Sequence, residues 1–95
     1  MSYLVVFGPG QAWWPDRPTQ DQGEPIERHC LTMRRLAGDG LLLAGGTLAD
    51  CGAVAMLATD DEKLARAVVD ADPAVTRRVL RARILKVADY RRGVT

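Results

Sequence analysis

His29 is the only histidine in the chain, so any imidazole chemistry must pass through it. It falls in a run where Ile26, His29, Cys30, Met33, Leu36 and Ala37 recur at three- and four-residue intervals. That spacing is one face of a helix, and the face is apolar, so the imidazole turns inward. An inward imidazole needs a partner, because an unpaired buried polar group costs ~1–3 kcal/mol. One reading is a general acid or base, since the side chain titrates near working pH when unperturbed. The plainer reading is a core histidine bonded to a backbone carbonyl. Asp72 is the candidate partner: it lies four residues after Val68 and eight after Leu64, at the edge of a second apolar helical face. An aspartate there can accept from one ring nitrogen and fix the tautomer, as the carboxylate of a catalytic triad does. Asp-Pro is also simply a helix stop. Asp39 is a weaker rival, about 80° around the helical wheel from His29 and several turns away.

Trp13, Trp14 and Arg17 stand close together before the histidine helix. A flat apolar wall beside a guanidinium suits a small anionic ring. Alternatively, one of the tryptophans seals the core. Other signals are weaker. The run from Gly8 to Trp13 begins like a dinucleotide-binding turn but lacks the third glycine. Two cysteines and one histidine fall short of the ligand set of a structural zinc site. Cys30 adjoins His29, but neighbouring helical residues do not face each other, which argues against a Cys-His nucleophile. Arg81 and Arg83 alternate with apolar residues and read as edge-strand protection. The pairs Arg77-Arg78 and Arg91-Arg92 read as solvated.

The elements that must hold these residues follow from the pattern. Residues 3–7 are apolar throughout and read as a central strand covered on both faces. A long loop spans about 11–24, of the kind that is often functional. A helix follows over about 25–37, with Pro25 in its first turn and Gly38-Asp39-Gly40 at its end. Strands are expected at 41–44 and 53–58, joined by an Asp50-Cys51-Gly52 turn. The run 59–62 opens a second helix, whose inner face reads as Leu64, Ala67, Val68 and Ala71 and which ends at Asp72-Pro73. A last strand covers 80–87, and about 89–95 is a polar tail. The order β-α-β-β-α-β is an α+β, ferredoxin-like pattern: a four-stranded antiparallel sheet with two helices on one face. The two-sided apolar strands leave the other face needing cover, and a second copy of the sheet is the natural one. A sheet-to-sheet homodimer is therefore expected.

The whole chain, 1–95, reads as one domain. Lys and Arg total 13 against 12 Asp and Glu, which argues against a protein that grips phosphate backbones, so no nucleic-acid partner is expected. No apolar run is long enough for a membrane span, and no export signal is read at the N-terminus. Two cysteines make no disulfide framework, and a cytoplasmic location is expected.

Taken together, these pieces resemble the YCII-related proteins of the dimeric α/β-barrel superfamily, over nearly the whole chain. The resemblance rests on the opening strand Tyr3-Leu4-Val5-Val6-Phe7 and the histidine helix ending at Gly40. It rests also on Leu41-Leu42-Leu43-Ala44-Gly45-Gly46 and on Ala71-Asp72-Pro73 before the last strand. The chain looks closest to actinobacterial members, with Trp13 or Trp14, Arg17 and Gln22 matching their first loop. The resemblance implies a sheet-to-sheet dimer, a pocket between helices and sheet, and a His-Asp dyad at His29 and Asp72. It also implies chemistry of the kind carried out by a dehydrochlorinase of a chlorinated hydroxyhydroquinone and by muconolactone isomerases. One position departs from the pattern: Thr47 replaces the proline after Gly45-Gly46, at the pocket edge, where it joins Arg17, Trp13 and Trp14 as a candidate substrate contact.

Two functions of different class follow. One is a lyase or isomerase that needs no cofactor or metal and moves a proton on a small cyclic or hydroxylated substrate. His29 would be the base, Asp72 its orienter, Arg17 the holder of an anionic oxygen, and Trp13 or Trp14 the stacking wall. The other is a non-catalytic small-ligand-binding or accessory dimer with a structural His-Asp pair. Haem ligation by His29 is a third, weaker option.

Overall fold

The computed structural model describes residues 2–88, and the expected polar tail at 89–95 lies outside them. The chain forms β1 (Ser2–Pro9), α1 (Glu24–Gly38), β2 (Leu42–Thr47), β3 (Ala53–Leu57), α2 (Glu62–Asp70), α3 (Pro73–Thr76) and β4 (Leu80–Val87). A single 3₁₀ turn, Thr19–Asp21, interrupts the long first loop. The strands form one sheet in the order β2-β3-β1-β4, with every pairing antiparallel. This is the expected ferredoxin-like α+β arrangement, with one added helical turn, α3.

Register assigns the two faces of the sheet. Tyr3, Val5 and Phe7 pair with Leu57, Ala55 and Ala53 on one side, and Val5 and Phe7 pair with Ile84 and Ala82 on the other. These residues share a face with the buried Ile26, Ala65, Val69 and Ala74 from the helices, and together they make the core. Leu4 and Val6 point the other way, beside Met56, Val54 and Leu85. They are half-buried within the sheet, whereas Leu85 is exposed. None of the described helices covers this side. Near its start β2 carries an irregularity: Leu42 pairs with Leu57 and Ala44 with Met56, so Leu43 has no partner and its side chain is exposed.

Local signals explain most boundaries. α1 ends in a Schellman motif: the Gly40 N–H donates to Ala37, the Leu41 N–H donates to Leu36, and Gly40 adopts φ 79°. Asp61 caps α2 by accepting from the Lys63 N–H. Gly52 closes the β2–β3 turn at φ 92°, where a Cβ would also strike the Phe7 carbonyl.

The inner face of α2 differs from the expected one. Ala65 and Val69 are buried, while Leu64 is 43% exposed and Ala67 and Ala71 are also exposed. The alanine at 65 has no bulk to hold the helix off the sheet, so the backbone settles over that stripe and Leu64 is left at the margin. The same rotation extends toward Asp72, which is fully buried.

Candidate functional site

His29 is set on α1 one turn beyond the buried Ile26, and it is itself buried, 3% exposed. Its ring meets Phe7 of β1 edge to face, with centroids 5.0 Å apart at 75°. Its Nδ1 lies 2.6 Å from Oδ2 of Asp72. Asp72 reaches this point because α2 stops at Asp70 and the chain turns into α3. The proline that ends one helix begins the next. Pro73 occupies the first turn of α3, where its missing N–H costs nothing, and Asp72 becomes the cap. The second carboxylate oxygen, Oδ1, accepts from the Ala74 N–H at 2.8 Å.

With Nδ1 engaged by an ionised carboxylate, the neutral ring carries its proton on Nδ1 and its lone pair on Nε2. Nε2 has no hydrogen-bond partner among the described residues. Among those residues no buried side-chain nitrogen or oxygen lacks a partner. Nε2 therefore meets open space, and the space is a cleft of about 240 Å³ between α1 and β2. Along α1 the cleft is lined by His29, Cys30, Met33, Arg34 and Ala37; Leu42, Gly45, Gly46, Thr47 and Val54 complete it. An oriented imidazole with a free lone pair, facing a small and mainly apolar cleft, can take up or deliver one proton there.

The expected site residues divide between two places. His29 and Asp72 come together, and Thr47, opposite Ala53 on the helix-facing side of β2, lines the same cleft. Arg17, Trp13 and Trp14 are not among the residues around it. Trp13 is half-buried and packs against the core, so it is the sealing tryptophan. Trp14 is 55% exposed, and the Arg17 guanidinium lies 3.5 Å from its ring centroid. Those two line a separate surface depression with Pro15 and Asp16. Gln22 holds this part of the loop in shape: its side chain accepts from the Trp14 N–H and donates to the Trp14 and Arg17 carbonyls. Trp13, Trp14 and Arg17 thus lie apart from the residues lining the histidine cleft, each with a partner within the loop or the core. Asp39, the rival partner, is exposed at the C-terminal end of α1.

Sequence reasoning missed Cys30, Met33, Arg34 and Ala37 as cleft residues. The signal was present: 30, 33, 34 and 37 form their own stripe at helical spacing, one residue round from His29. No group of three or more His, Cys, Asp or Glu side chains among the described residues is placed to hold a metal ion. No helix among them is long and apolar enough to cross a membrane.

No protein-family model matches the chain, and no curated protein matches it in sequence. It is similar in structure to 5-chloro-2-hydroxyhydroquinone dehydrochlorinase from Burkholderia phenoliruptrix, solved in complex with 2,5-dihydroxybenzoquinone. The TM-score is 0.71 at 12% sequence identity, over 93% of this chain and 94% of that one. At that identity the likeness is one of fold, and the fold of this chain is that of the dehydrochlorinase.

Proposed function

We propose that the chain is a YCII-related protein and a cofactor-independent enzyme that moves a proton on a small cyclic or hydroxylated substrate. The observation that carries this reading is the buried His29–Asp72 pair, which leaves Nε2 facing the cleft. In the reaction, a substrate C–H or O–H bond breaks and an N–H bond forms at Nε2. The released electron pair enters the ring or enol system. It then either expels a leaving anion, as in a dehydrochlorination, or recaptures the proton at another carbon, as in an isomerisation. Asp72 stabilises the imidazolium formed between the two halves of the step. A positioned base of this kind contributes roughly 10²–10⁴-fold.

The bare side of the sheet supports a homodimer, with Leu4, Val6, Val54 and Met56 of two copies facing each other. The free thiols of Cys30 and Cys51 support a reducing, cytoplasmic setting.

The test is a turnover screen of quinols, chlorinated quinols and cyclic hydroxy acids with wild type and His29→Asn. Turnover that falls at least about a hundredfold in the variant supports the reading. Saturable binding without turnover of any compound would replace it with a non-catalytic ligand-binding domain.

A further inference from the structure

We infer that Arg34 is the anion anchor of the His29 cleft, and that the cleft takes a small monoanion built on a single ring. The inference rests on the reading of this cleft as the ligand site, and deepens it by naming the charge and size of the ligand.

The charge inventory of the cleft points one way. Its lining holds one guanidinium, Arg34, together with the imidazole, the Cys30 thiol and the Thr47 hydroxyl, and it holds no carboxylate. The nearby carboxylate, Asp72, is 0% exposed and has one oxygen on His29 and the other on Ala74. A cation entering the cleft would meet only Arg34, whereas an anion would meet a ready counter-charge.

Four other arginines are engaged, and Arg35, Arg66, Arg81 and Arg83, whose side chains like that of Arg34 have no partner among the described residues, do not line the cleft. Arg28 and Arg77 pair with Glu24, Arg17 stacks on Trp14, and Arg78 donates to Gln11. Arg34 makes no ion pair or hydrogen bond among the described residues. Its donor fork is available to a carboxylate or an enolate oxygen, which it matches in a bidentate manner.

Position and size agree with this role. Arg34 is five residues beyond His29 on the same helix, a rise of about 7.5 Å. A ring held by its charge at Arg34 would present its far edge to Nε2. The walls between are Met33, Ala37 and Leu42, and Gly45 and Gly46 add no side chain to the floor. A volume of about 240 Å³ is below the range of drug-sized sites and suits one ring. The guanidinium also stands on the side to which charge moves when Nε2 takes a proton, so it serves the reaction and the binding alike.

The experiment compares benzoate with its uncharged isostere benzamide in amide NMR titrations. The proteins are wild type, Arg34→Met, Arg34→Lys and, as a control, Arg17→Met. Wild type is expected to bind benzoate more tightly than benzamide, with shifts at Gly45, Gly46 and Thr47. Arg34→Met should weaken benzoate binding about tenfold to a hundredfold, leave benzamide unchanged, and be partly restored by Arg34→Lys. Arg17→Met should change neither. The inference is overturned if wild type fails to bind benzoate saturably, if it binds the two compounds equally, or if Arg34→Met leaves benzoate binding intact. The readout needs no turnover, so it separates from the catalytic reading. A screen without turnover would remove the enzyme and leave the anchor standing.

Discussion

Asp72 holds His29 from behind with only one of its two oxygens. Oδ2 takes Nδ1 at 2.6 Å, and Oδ1 is committed at 2.8 Å to the Ala74 N–H. The carboxylate therefore cannot rotate without breaking the cap of α3, and the imidazole inherits that rigidity.

This geometry predicts the effect of Asp72→Asn. An asparagine must give its oxygen to the Ala74 N–H, which leaves its NH₂ facing Nδ1. A donor there forces the proton onto Nε2, so the nitrogen in the cleft loses its lone pair. The fold should survive while turnover drops by about 10²–10⁴-fold. Nitrogen-15 shifts of the single histidine should report the Nδ1–H tautomer in wild type and the Nε2–H tautomer in the variant. An unchanged tautomer would refute the argument.

His29→Ala should be costly for a different reason. It leaves a buried carboxylate with one hydrogen bond and no ring to cover it, a loss of about 3–5 kcal/mol. For a chain of this size that lowers Tm by more than ~10 °C. His29→Asn places an N–H near the position of Nδ1 and should recover part of the stability while supplying no base. Thermal melts of the two variants check both halves.

Arg78 offers a gain. It sits at φ 63°, directly after α3, with its N–H donating to Val75 and the next N–H donating to Ala74. This is the left-handed position of a Schellman motif, normally filled by glycine. Arg78→Gly relieves about 1–2 kcal/mol of backbone strain and returns part of it as unfolded-state entropy. A net stabilisation of about 0.5–1 kcal/mol is expected in urea unfolding, with the exposed Arg78–Gln11 hydrogen bond contributing little.

The open face of the sheet can be tested by charge. Leu4 lies between Met56 and Leu85, with no basic residue directly opposite. Leu4→Glu should convert a dimer to a monomer in sedimentation experiments and leave the circular dichroism spectrum of the fold unchanged. A wild-type chain that sediments as a monomer at tens of micromolar would remove the dimer from the proposal.

β1 and β3 were legible as apolar runs and β4 emerges at its expected limits, 80–87, whereas β2, expected over 41–44, continues through Gly45 and Gly46 to Thr47. His29 was legible because it sits on an apolar helical face where a polar group needs company, whereas Asp72 was reached from a face of α2 that the structure does not form and is the N-cap of α3. The face of α2 was not legible: Leu64 and Ala65 differ in bulk, and the closeness of packing, which the sequence does not state, favoured the smaller. α3 was hidden because Pro73 carries the same signal for a stop and for a first turn. Arg34 was not singled out, because nothing in the sequence says that β2 lies beside it. Trp14 and Arg17 stand close to the histidine helix in sequence but line a depression of their own. Gln22 folds that segment onto itself instead.

The double duty of Asp72 bears on how such a protein could lose its activity over time. Drift at this position frays the start of α3, so the chain that feeds β4 is penalised whether or not a reaction takes place. A silent descendant would keep the aspartate, and with it the histidine that covers the charge. Decay would be written first at Arg34 and Thr47, which line the cleft and whose side chains no described hydrogen bond or ion pair ties to the fold. Those two positions, rather than the buried pair, are where a working member and a retired one would differ.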